Sequence, residues 1–571
     1  AGEAHDRDLS IEDTEQSEAT TGLSTQELEP AETDADARVD DTGTSPSTTV
    51  NASSETERDE EEPEAESAEP ERVEIETLAD RVGETVRIEG EIVTARQTSG
   101  PTVFDIRDET GSVECAAFEE AGVRAYPDVE EGDAVRLDGE VERRRGDLQI
   151  ETDAIIVLDG DDRDAVRARL ANAVERRAAP EPVAPLAGDE TVAKIASDVR
   201  EAATAIRRAV IEGRPIIVRH AADVDGYVAG AALERATLPL IEDEHPDADA
   251  VYHYFDRRPL EGTVYDLDDA TGDVTTMLSN AERHDEQYPL FVFAAAGGTS
   301  ESLDGFDLLS VYGAPTVVIE GATVDDVVQE TVETVVTSPE GDNLTASTLA
   351  ANVAAHVNAA VRADLGHLPA VSVWDDVSGD YLDLAADAGY EPADVRKLRE
   401  AVALEAFYQS YEDKRELITD LLFSQSDAER SLASHVSEQY RTRMDDAIAT
   451  AQANLETTDI GGIRIAILDT DAYTHRYEFP PTDLLLDVLW RNLDEVDALL
   501  GLDEDEAYLR PALELDVRAI VEEANANAPG AGLDAAGARE GHVAFLAGER
   551  EAVRDALAAA IAGERSSLAA A

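Results

Sequence analysis

The sequence predicts a multidomain chain in which a disordered acidic tail precedes an all-β barrel, an α/β domain with a parallel sheet and a helical insertion, and a smaller C-terminal α/β domain. Three observations carry this. Residues 1–72 contain no aromatic residue, the stretch after Val73 alternates apolar and polar positions, and from about residue 190 short apolar runs are separated by helical stretches. At 571 residues the chain also exceeds what one core organises.

Charge is the next constraint. Asp and Glu number 127 against 46 Lys and Arg, a net charge of -81, and the lysines are Lys194, Lys397 and Lys414 alone. Such a surface repels itself in dilute buffer but is tolerated in molar salt, where the Debye length is about 3 Å. The acidity therefore signals adaptation to a salty cytoplasm rather than a partner. It does not exclude nucleic acid, because salt weakens counterion-release binding whatever the protein's net charge. Cys115 is the one cysteine, which excludes an internal disulfide and a Cys-cluster zinc site. No apolar run approaches the roughly 18 residues of a membrane span. The opening AGEAHDRDLS lacks a signal peptide's apolar stretch. The expectation is a cytoplasmic chain with no membrane partner.

Taken in order, the tail (1–72) cannot bury enough apolar surface to offset chain entropy, and is expected to be a solubilising segment. Residues 73–160 hold five strand patterns, at 85–96, 102–108, 112–118, 134–144 and 147–157. Period-two spacing puts Val86, Ile88 and Ile92 on one face, and Val135, Leu137 and Val141 on another. Five short strands with Gly-rich turns suit a small Greek-key barrel. The runs EGEI, FDIRD and GSVEC make this segment resemble the OB-folds that bind nucleic acid. On its last turn, Arg143, Arg144 and Arg145 either contact an oligonucleotide or form a solvated turn. Phe104 and Phe118 are expected in the core rather than as stacking platforms. A helix and the Pro-rich linker AAPEPVAPLAGD occupy 161–189.

The α/β domain (190–379) begins with a helix at 190–212, followed by strands at 216–220, 251–255, 290–296 and 316–320 and a helix at 345–362. A helical connector (380–456) and a C-terminal domain (457–571) opening with IRIAILDTDAY complete the chain. The aromatic stretch AYTHRYEFPP (472–481) is expected to be a packed connection, and His356 and His367 to be structural.

Chemistry concentrates after the first strand of the α/β domain. Asp223 and Asp225, in AADVDG, fall at the carboxyl end of that strand, where open α/β sheets place their sites. Paired carboxylates suit hard cations and metal-activated hydrolysis. The spacing AADVDG (221–226), AAGGT (295–299) and EGA (320–322) resembles the DHH phosphoesterase superfamily. That family carries H-x-D-x-D-G, D-x-G-x-T and D-H-H at these places. Here Ala221 stands for the first His, Ala295 for the second motif's Asp, and Glu320, Gly321 and Ala322 for D-H-H. PGAGLDAAGAREG (529–541) resembles the family's C-terminal glycine motif with its His replaced by Leu533.

The resemblance is to the RecJ-like branch, archaeal and halophilic in type. It implies residual metal ligands at Asp223, Asp225 and Glu320, with Mn²⁺ or Mg²⁺ weakly held or absent. It also implies a grip on nucleic-acid backbone at Gly530, Gly532 and Gly537 through main-chain N–H groups. The implied function is binding of single-stranded DNA or RNA in replication or repair with weak or no nuclease activity, beside partners such as GINS and MCM. The alternative is an active metal-dependent exonuclease whose site is rebuilt with Asp256, Asp304 or Asp325. A third reading leaves all binding to the barrel and uses the DHH scaffold only to dimerise.

Overall fold

The computed structural model describes residues 70–570, apart from 99, 119–123, 145, 246, 285, 340–343, 375–376, 413–414, 425 and 476. The expected disordered tail therefore lies outside the described residues up to position 69. Arg72 already belongs to the barrel: it bridges Arg87 and its guanidinium reaches Glu109 at 2.5 Å.

The barrel is closed in the order β1-β2-β3-β5-β4. Its strands are β1 (Thr85–Gln97), β2 (Thr102–Arg107), β3 (Ser112–Ala117), β4 (Ala134–Arg144) and β5 (Asp147–Val157). The period-two reading holds: Val86, Ile88, Ile92, Val135, Leu137 and Val141 are all buried, as is Phe104. Phe118 departs from the expectation. It lies one residue beyond β3 and is 51% exposed, because the chain leaves the sheet there and the alternation no longer dictates a side.

Helix Gly160–Ala178 joins the barrel to the body. Midway along it Arg169 converges with Arg136 of β4 on Glu89, at 2.9 and 2.8 Å. Burial alone would raise the Glu89 carboxyl, but these two guanidinium groups override it and hold it below its ordinary range. At the helix's C-terminal end Arg207 donates to the carbonyls of Arg177, Ala178 and Val357, tying the helix to the next domain.

That domain is built on a parallel sheet ordered β10-β9-β8-β6-β7. The strands are β6 (Ile216–Ala221), β7 (Phe255–Leu260), β8 (Leu290–Ala294), β9 (Thr316–Glu320) and β10 (Thr334–Thr337). Alternate residues serve opposite faces. Ile216, Val218 and Val292 pack on helices Ala196–Glu212, Val224–Glu244 and Ala346–Val357, while Ile217, Phe291 and Phe293 meet the other helical layer. Apolar residues on both faces are what a strand covered on both sides requires.

The expected strand at 251–255 is corrected. Residues Ala250–Tyr254 are a short helix, with Tyr252 76% exposed, and the strand is Phe255–Leu260. The sequence FDRRPL reads poorly as a strand because it carries three charges in six residues, and two of its charge partners, Glu234 and Asp273, lie outside it in sequence. Arg257 pairs with Glu234 at 2.6 Å, and Arg258 with Asp256 and Asp273 at 2.7 and 3.0 Å. An edge position also tolerates Pro259.

Helices Gly379–Asp387, Pro392–Glu412, Arg415–Phe423 and Asp427–Asn454 form the connector. In 472–481 Phe479 is buried against Tyr440 and Phe407, whereas Tyr473 and Tyr477 face solvent. A mixed sheet ordered β11-β12-β13-β14-β16-β15 completes the chain. Its strands are β11 (Glu456–Ile460), β12 (Ile463–Asp469), β13 (Ala498–Leu502), β14 (Glu506–Arg510), β15 (Asp534–Gly537) and β16 (His542–Ala544).

His367 is structural, as expected. It is buried, stacked on Tyr390 with centroids 4.1 Å apart, and donates from Nε2 to Leu422 O at 2.7 Å. Burial lowers its pKa to about 4 from the ordinary 6.5. The unfolded chain therefore takes up a proton below about pH 6.5 that the folded chain refuses until about pH 4, so this residue's contribution to stability is full above that window and is lost as pH falls through it. His367→Phe keeps the stack and removes the titration. It is expected to flatten the fall in unfolding free energy between these pH values by roughly 3 kcal/mol or less. An unchanged pH profile in denaturant titrations would contradict this.

Candidate functional site

β6 delivers Asp223 at its carboxyl end, where it caps helix Val224–Glu244 by accepting from Gly226 N at 2.8 Å. Asp225 reaches further. Its Oδ2 accepts from Ala346 N at 2.9 Å and its Oδ1 from Ser347 N at 2.8 Å, so both oxygens cap helix Ala346–Val357. β9 delivers Glu320, which is 7% exposed. The three predicted ligands thus meet at one edge of the sheet, but each is already engaged.

Glu320 faces a guanidinium rather than an open site. Arg539 Nη1 stands 3.2 Å from Glu320 Oε2, and Arg539 Nη2 donates to Thr323 O at 2.5 Å and Gly298 O at 3.4 Å. Burial pushes Glu320 up to about 7, against the pull of Arg539. Partial loss of hydration likewise raises Asp223, with Asp225 adding negative charge, although its side chain opens to the water of the cleft. Burial also raises Asp225, against the amides of Ser347 and Ala346.

Where the family pattern has a His and an Asp, this chain has built a small apolar contact. Ala221, Ala295 and Ala346 pack together and are 2%, 7% and 0% exposed. The main chain has closed in as well. A Cβ on Gly321 would sit 2.4 Å from Leu344 O and 2.6 Å from Ala346 N, so an imidazole there has no room without a backbone shift. His220, one place before Ala221, is no substitute ligand. It is buried, donates from Nδ1 to Ala221 O at 2.8 Å and stands edge-on to Tyr227.

Among the described residues, no group of three or more His, Cys, Asp or Glu is arranged to hold a metal ion. The two alanine side chains offer no lone pair, each Asp225 oxygen already accepts from a helix amide, and Glu320 faces Arg539. This donor set does not fit a two-metal centre. The alternative ligands do not repair it: Asp256 lies at the amino end of β7, paired with Ile217 in register, and Asp325 is bound by Ser300 N and Arg518. Asp304 does line the cleft.

That cleft, of about 1620 Å³, runs between the sheet's carboxyl edge and the C-terminal domain. Its walls include Asp223, Asp225, Glu301, Arg510, Arg539 and His542. Arg510 is tied to Asp483 and Asp487, and Arg518 to Glu301, so these cations are already matched by anions. Of the predicted glycines only Gly537 lines the cleft, as part of β15; Gly530 and Gly532 lie in the preceding turn. The amides of Gly530 and Ala531 bond to Ala528 O and that of Leu533 to Asn525 Oδ1, leaving these three committed within the loop.

The barrel carries a different kind of surface. Arg143 and Arg144 are exposed, and Arg145 lies outside the described residues. Arg144 sits over the Phe118 ring, 5.9 Å from its centroid, and bonds Gln149 at 3.3 Å. Arg143 borders a groove of about 520 Å³ with Leu78, Glu114 and Gly146. Neither Arg539 nor the exposure of Phe118 is recognisable from local pattern; the one available signal for Arg539 is an arginine placed just after Gly537 in a motif that has lost its His.

Residues 86–158 match a family model described as an OB-fold nucleic acid binding domain. The uncharacterized protein MJ1198 of Methanocaldococcus jannaschii is 32% identical over 437 residues, covering 71% of this chain and 57% of that protein. The chain thus spans somewhat over half the length of that relative. Among solved structures, the DHH domain of a protein assigned to a family of ribosomal proteins is 29% identical with a TM-score of 0.62, covering 69% of this chain and 97% of that one. Exonuclease RecJ bound to manganese is 16% identical with a TM-score of 0.44, covering 65% and 96%.

The closed backbone at Gly321 generates a direct expectation. Gly321→Ala should lower stability by about 1–3 kcal/mol, the usual range for overpacking. Denaturant titration in molar salt measures this, and a variant as stable as the parent would show that the strand end is looser than described.

Proposed function

We propose that this chain, a DHH-domain protein with an OB-fold barrel in front, binds single-stranded nucleic acid through the barrel and has weak or no nuclease activity. The observation that carries the reading is the exposed Phe118 ring beneath Arg144, beside the turn that holds Arg143. A ring face stacks on any base and guanidinium groups pair with phosphates, the combination that single-strand binding uses. The acidic cleft, with Arg510, Arg518 and Arg539 matched to carboxylates, is poorly suited to a polyanion. Any Mn²⁺ or Mg²⁺ is held weakly, and the role is in replication or repair, beside partners such as GINS and MCM, in a salt-adapted archaeal cell.

Anisotropy of a labelled oligothymidylate, titrated with the full chain across a salt series, tests the binding half. Phe118→Ala is expected to cost about 1–3 kcal/mol of affinity. Arg143→Ala and Arg144→Ala should each reduce the salt slope by about 0.7. Unchanged affinity and slope in all three variants would return this face to a solvated turn.

The catalytic half is tested by hydrolysis of single-stranded DNA in molar KCl with Mn²⁺ or Mg²⁺. Turnover is expected near background and insensitive to Asp223→Ala. Robust metal-dependent cleavage abolished by that substitution would establish a working site instead.

A further inference from the structure

We propose that the guanidinium of Arg539 is the resident cation of the cleft, standing beside Glu320 in place of a metal ion and stapling the C-terminal domain across the carboxyl edge of the parallel sheet. The inference is independent of nucleic-acid binding, which the barrel variants test separately.

Placement is the first support. Arg539 lies between β15 and β16 of the C-terminal domain, yet its guanidinium contacts Glu320 Oε2 at the end of β9, and Gly298 O and Thr323 O in the segments that follow β8 and β9. One planar group thereby joins two strand ends of one domain to a hairpin of another. The Arg539 and Glu320 side chains are only 17% and 10% exposed, so the pair is largely out of water. An anion so placed needs a cation nearby, and one formed without a partner is costly.

Space is the second support. A Cβ at Gly298 would come within 2.8 Å of Glu320 Cγ and 3.0 Å of Arg539 Nη1. The pair occupies the volume that a side chain at that position would need.

Redundancy is the third. Arg518, on helix Val517–Asn527 of the same C-terminal domain, grips Glu301 at 2.8 and 2.9 Å and Asp325 at 2.9 Å. Asp325 in turn accepts from Ser300 N at 2.9 Å and donates its own amide to Gly298 O. Two arginines of one domain thus hold the loops after β8 and β9. Nearby, Glu540 adds a further carboxylate, one oxygen of which is buried and without a hydrogen-bond partner among the described residues. A guanidinium suits this role because its fixed fork satisfies one carboxylate and two carbonyls together, which a point-charge ammonium does less well.

The experiment uses the full chain in molar KCl. Its two tryptophans, Trp374 and Trp490, both line the cleft, so acrylamide quenching of their fluorescence reads how open it is. Arg539→Met keeps the bulk and removes the charge. It is expected to raise the quenching constant several-fold while circular dichroism stays that of the parent. Arg539→Lys should fall between the two. Glu320→Gln, which leaves the arginine in place and removes its anion, should also open the cleft, and provides the reading if the Met variant does not fold. Millimolar Mn²⁺ should leave the quenching of the unaltered protein unchanged. A Met variant as closed as the parent, a Gln variant without effect, or closure driven by Mn²⁺ would each overturn the proposal.

Discussion

A carboxylate at the carboxyl end of a parallel strand, shut away from water, must be matched by positive charge or hold its proton, and the arrangement around Glu320 follows from that constraint. Arg539 supplies the charge, two backbone carbonyls accept from its Nη2, and Gly298 leaves the room. Because the arginine comes from the C-terminal domain, satisfying one anion also fixes one domain against another. Arg518 repeats the device one loop away.

The neighbouring carboxylates have structural work as well. Asp223 caps the helix that follows its own strand, and Asp225 caps a helix more than a hundred residues away in sequence. These hydrogen bonds give a reason for both residues to be present that is independent of any ion. The alanine contact between Ala221, Ala295 and Ala346 fills the place where polar ligands would otherwise converge. The site is thus well packed as it stands, and restoring an imidazole at Gly321 would require moving the segment around Leu344 and Ala346.

Much of this was legible in the sequence, and the remainder has physical reasons. The barrel strands were readable because each buries one face, which forces period two on residues such as Val86, Ile88 and Ile92. The central parallel strands were readable because both faces are covered, making LFVFA continuously apolar. The edge strand Phe255–Leu260 was not, since its stability depends on Glu234 and Asp273, whose proximity no local pattern encodes. The aromatic run before it reads as a strand and forms a short, partly exposed helix. Asp223, Asp225 and Glu320 were identifiable from their place after strand ends, but their partners Ser347 and Arg539 lie 122 and 219 residues further along the chain, as 347 less 225 and 539 less 320, and only the fold brings them together. Phe118 is exposed although the sequence places it in the core, because alternation stops being informative one residue past a strand's end.

On the proposal above, the protein's own cations rather than a bound metal organise this cleft. Electron paramagnetic resonance of Mn²⁺, titrated into the full chain in molar KCl, counts tightly held ions directly. The acidic surface contributes weak, non-specific binding to every variant, so the deciding comparison is between the parent and Asp223→Ala. The same number of tightly bound ions is expected in both. One or two ions held by the parent and lost from the variant would contradict it.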